Sequence, residues 1–71
     1  MKIYPNPATK FLNVRFSKTQ RGFLFLFDLA GKCILKSSIH NQSHVRVSVN
    51  GLEAGEYTLQ VDGSNHKVVV S

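Results

Sequence analysis

Apolar and polar side chains alternate almost one for one along this 71-residue chain. Leu12, Val14 and Phe16 alternate with Phe11, Asn13 and Arg15, and Leu24 and Leu26 with Phe23, Phe25 and Phe27. Val45, Val47 and Val49 alternate with His44, Arg46 and Ser48. Tyr57, Leu59 and Val61 alternate with Glu56, Thr58 and Gln60, and Val68 and Val70 close the series. Successive side chains of a strand point to opposite faces, so a period of two puts one set on a core and the other outside. The β-branched and aromatic residues that fill these runs suit a pleated surface. No stretch shows the i, i+3, i+4, i+7 recurrence of an amphipathic helix, so strand pairing is the route open to the chain.

Turn chemistry divides the alternation. Pro5-Asn6-Pro7 ends a short first strand, because proline lacks an amide donor and forces its predecessor to be extended. Asp28-Leu29-Ala30-Gly31 reads as a hairpin connection, with Asp28 accepting from amides ahead of it and Gly31 taking the positive φ that closes the turn. Ser37–Ser43 is polar and reads as loop. Asn50-Gly51, Ala54-Gly55 and Asp62-Gly63-Ser64-Asn65 are further turn signals. The reading gives seven strands, over residues 2–4, 11–16, 23–28, 32–36, 44–49, 56–62 and 66–70. Seven antiparallel strands at this spacing predict an all-β immunoglobulin-like sandwich. Its core is expected to hold Leu12, Val14, Leu26, Val47, Val49, Leu52, Tyr57, Leu59 and Val68. Leu52-Glu53-Ala54-Gly55-Glu56-Tyr57 has the spacing of a tyrosine corner, in which the ring packs inward and the hydroxyl bonds backbone across the turn.

Composition removes several classes. Hydrophobic residues make up 42% of the chain, too many for a disordered tail. Five Gly, two Pro and one Cys fit neither collagen nor a disulfide framework. No apolar run approaches the roughly 18 residues of a membrane span. The net charge is +5, but the nine basic residues are scattered, which argues against nucleic acid and leaves contact with an anionic surface open. His40 and His44 stand four apart in a segment read as loop and strand, without a nearby Cys or carboxylate, so no metal is expected. Asp28, Glu53, Glu56 and Asp62 sit in or beside turns, where acids serve the backbone. Cys33 reads as a small buried hydrophobe. No catalytic constellation, cofactor or substrate pocket is expected in a chain this short.

Four motifs in fixed order carry a family resemblance. They are Ile3-Tyr4-Pro5-Asn6-Pro7-Ala8-Thr9 with Leu12-Asn13-Val14, then Leu24 to Lys32, then Val47 to Leu59, and finally Lys67-Val68-Val69-Val70. Over residues 3 to 70 the chain resembles the C-terminal sorting domain of the type IX (Por) secretion system of Bacteroidetes. The resemblance implies a non-catalytic address label ending a longer secreted protein. It implies passage through the periplasm, recognition by the outer-membrane translocon, and removal by a surface sortase that leaves the N-terminal passenger on the cell surface or released. Pro5, Asn6, Pro7, Asp28, Gly31, Leu52, Gly55 and Tyr57 would then be structural, and Lys67, Val68, Val69 and Val70 would form the strand most associated with sorting. Two positions depart from the family pattern: Lys10 stands where an acid is common, and Ser71 where a basic end is frequent.

Two expectations concern surfaces. A final strand at a sheet edge offers free backbone groups that a receptor captures by strand addition. With Leu24 and Leu26 inward, Phe23, Phe25 and Phe27 line the outer face, as an interface or beneath long side chains such as Arg15 or Lys36. The competing function is a fibronectin-like or carbohydrate-binding module of an adhesin or enzyme, with the Phe row as its only sugar platform.

Overall fold

The computed structural model describes residues 1–71 as five strands without a helix. They are β1 (Lys2–Tyr4), β2 (Phe11–Phe27), β3 (Cys33–Ser48), β4 (Gly55–Val61) and β5 (Ser64–Val70). Every strand pair is antiparallel. β3 follows one edge of β2 from end to end, while β1 and β4 share the other edge and β5 lies outside β4. The sheet thus has a three-stranded part, β1–β2–β3, and a four-stranded part, β5–β4–β2–β3.

Directly opposed residues share a face. Leu12 stands opposite Val47, Val14 opposite Val45 and Leu26 opposite both Leu35 and Leu59. The inward sets of both parts meet in one cluster of 15 buried residues, so the sheet is folded over its own inner face. Leu12, Val14, Leu26, Val47, Val49, Tyr57, Leu59 and Val68 are buried as expected, and Leu52 packs partly buried against them.

The all-β, antiparallel expectation holds, but there are five strands where seven were expected. Segments 11–16 and 23–28 are the two ends of β2; 32–36 and 44–49 are the two ends of β3. Polarity at Ser37–Ser43 marks exposure rather than lost pairing, for Arg21, Gly22 and Phe23 pair with His40, Ile39 and Ser38. Register shifts between Arg15 and Gln20, and between Gln20 and Arg21, interrupt the ladder. Such bulges bend and twist a ribbon without ending it. Gln42 mends the backbone there, its Oε1 accepting from the His40 amide at 3.0 Å and its Nε2 donating to the His44 carbonyl at 3.5 Å.

The turns follow their chemistry. The Lys32 amide donates to Asp28 Oδ1 at 2.9 Å, the Gly31 amide to the Asp28 carbonyl at 3.0 Å, and Gly31 has φ 86°. Asp62 and Gly63 both have positive φ, 51° and 77°, between paired Val61 and Ser64. That is the two-residue type I′ connection whose twist matches its strands. Cys33 corrects an expectation: it is exposed, because a register shift after Leu26 takes it out of the inward series.

Candidate recognition site

The closing strand is held from two sides. Towards β4, Tyr57 opposes Val68 and Thr58 opposes Lys67, and Lys67 Nζ meets Glu56 Oε1 at 2.6 Å in an exposed ion pair. On the other edge, the Val69 amide donates to Asn6 Oδ1 at 3.0 Å and the Ala8 amide to the Val69 carbonyl at 2.8 Å. The Ser71 amide then donates to the Ala8 carbonyl at 2.9 Å, and a parallel bridge joins Ala8 to Val70. The expectation of a fully free final edge is therefore corrected. Residues 6–8 cover its C-terminal end, because Pro5-Asn6-Pro7 turns the chain back across β5.

The rest of that edge is open. Backbone groups alternate in direction along a strand, so those of Asn65 and Lys67 point the same way as those of Val69. No backbone segment lies beside them. Of the four residues singled out in this strand, Val68 and Val70 are fully buried, Val69 is half-buried and Lys67 is exposed. Two residues are thus core, one is tied to Asn6, and only Lys67 presents both side chain and main chain.

Tyr57 is buried and its hydroxyl donates to the Glu53 carbonyl at 2.7 Å, the bond of a tyrosine corner, with Leu52 and Gly55 in the turn between. Asn6 gains a role that no local pattern announced, since its partner Val69 is 63 residues away. Ala8, completely buried, also escaped sequence reasoning, being a single small residue outside any alternating run.

The aromatic row faces outward. Phe23 and Phe25 have ring centroids 6.3 Å apart, Phe25 and Phe27 6.1 Å. Lys36 Nζ lies 4.2 Å from the Phe23 centroid and 5.8 Å from that of Phe25, so Lys36 covers part of the row. Phe23 remains 49% exposed. His40 and His44 are both exposed on β3, and His44 Nε2 bonds Asn13 Oδ1 at 3.1 Å. No three His, Cys, Asp or Glu side chains gather in one place.

A family model described as the secretion system C-terminal sorting domain matches residues 2–71, from the first strand through the last. No individual curated protein and no solved structure matches the chain. The chain belongs to the secretion system C-terminal sorting domain family: it is a C-terminal signal for type IX secretion, which engages that machinery and directs a fused N-terminal passenger to the cell surface or beyond.

Proposed function

We propose that the domain ends a longer secreted protein, folds in the periplasm, and is taken up by the outer-membrane translocon at the open part of the β5 edge. A surface sortase then removes it from the passenger. In this reading the folded sheet is an immunoglobulin-like sandwich. Its three-stranded and four-stranded parts are the two layers, and their segments number seven. The observation that carries the proposal is the half-covered edge. Val69 and Ser71 are bonded to Asn6 and Ala8, while the main chain of Asn65 and Lys67 faces outward without a partner. A sheet edge of this kind takes an added strand through main-chain bonds, and Lys67 supplies a charge beside it.

A retained adhesin or sugar-binding module is not favoured, because the family match runs through the whole fold. The Phe23, Phe25, Phe27 row is proposed as a second contact surface, for self-association or for the machinery. Lys36 reduces its apolar exposure without removing it.

Replacing Lys67 by proline tests the edge. The Lys67 amide points away from β4, so Lys67→Pro deletes no ladder bond, and proline is tolerated at edges for that reason. The variant should melt near the parent domain but export a fused passenger poorly in a type IX-competent host. Full export by a folded Lys67→Pro domain would rule out capture at this edge.

A further inference from the structure

The outer face of the three-stranded part carries cations without a single balancing acid. β1, β2 and β3 contain no Asp or Glu; the four acids are Asp28, Glu53, Glu56 and Asp62, all outside these strands. Register sets Lys2 opposite Arg15 and Arg15 opposite His44, so one row across the sheet is basic from end to end. In the next row Tyr4 opposes Asn13 and Asn13 opposes Arg46. Like charges set directly opposite each other destabilise a sheet, and here no neighbouring carboxylate relieves them.

Exposed apolar groups share this end of the molecule. Tyr4 is 40% and Phe11 39% exposed. The Arg46 guanidinium lies over the Phe11 ring, 3.8 Å from its centroid. Cations interleaved with exposed aromatic rings on an open sheet match the boundary of an anionic membrane, where rings sit at headgroup level and Lys and Arg meet phosphates. We propose that the β1–β2–β3 outer face, through Lys2, Arg15, Arg46, Tyr4 and Phe11, docks on a membrane surface bearing anionic phospholipid headgroups. The proposal is independent of how the translocon grips β5.

Vesicle co-sedimentation of the 71-residue chain tests it, with phosphatidylglycerol mixed into phosphatidylcholine against phosphatidylcholine alone. Binding should require the anionic lipid and weaken as salt is raised. Each Lys or Arg near such a surface strengthens binding about fivefold. The double variant Arg15→Gln/Arg46→Gln should therefore bind roughly 25-fold more weakly. Arg21→Gln/Lys32→Gln, an equal charge loss outside these rows, in β2 beyond the bulge and in the turn before β3, should change binding far less. Equal losses in the two variants would overturn the assignment of the face. Equal binding of the parent chain to both vesicle types would overturn the proposal itself, whatever the variants do. So would binding to polyglutamate or to an oligonucleotide without binding to anionic vesicles.

Discussion

The Tyr57 hydroxyl and the Asn6 carboxamide do comparable work at opposite ends of the scale of sequence separation. Tyr57 fastens the turn four residues behind it, at Glu53, and Asn6 fastens the far end of the chain, at Val69. A net intramolecular hydrogen bond is worth about 0.5–1.5 kcal/mol. Tyr57→Phe keeps the buried ring and removes only the 2.7 Å bond, so denaturant melts should show a loss of about that size. Unchanged stability would mean that the ring alone fixes the corner. Gly31 offers a second single-residue test. Its φ of 86° lies where a Cβ is strained even though the space around it is open. Gly31→Ala should cost about 1–2 kcal/mol in the same melts, from backbone conformation alone.

At the scale of elements, what was legible in the sequence was direction and facing. Alternation identified which residues of β2, β4 and β5 point inward, and Asp28 and Asp62-Gly63 marked turns that formed where their chemistry requires. Strand length was not legible. Ser37 to Ser43 looks like a loop because its residues are polar, yet Ser37 to His40 and Gln42 stay paired with β2 around a bulge, and Ile39 among them is core. Local composition reports exposure, and a ladder on an exposed ribbon leaves no such mark. The tie between Asn6–Ala8 and β5 was hidden for another reason: a contact between chain ends has no period. It changes the reading of the candidate site, since half of the edge expected to be free is already occupied. The Phe row was legible in its facing but not in its cover. Lys36 was one of two side chains expected over the rings, and Arg15 instead lies on the three-stranded part, opposite Lys2. Phe23→Thr with Phe25→Thr replaces two outward rings by β-formers and should leave the melting transition in place. If the row is an interface, sedimentation should show weaker self-association or a secretion assay weaker export. Loss of the fold would instead place the rings among its supports.

For the whole molecule, 15 buried residues support 71, and a single cysteine leaves no internal disulfide to add to them. Deleting Lys67–Ser71 therefore removes more than a recognition strand: Val68 and Val70 leave the core, and Asn6 and Ala8 lose their partners. A domain that serves as a signal must keep this architecture while presenting it to a receptor, and the two requirements meet in β5. The most direct test is export of a reporter protein with residues 1–71 fused to its C-terminus, in a host with an active type IX system. The reporter should reach the cell surface or medium when it is made as a fusion to residues 1–71, and should remain in the periplasm when Lys67–Ser71 are removed. Retention of the intact fusion inside a host that exports its own cargo would contradict the assignment of this chain as a sorting signal.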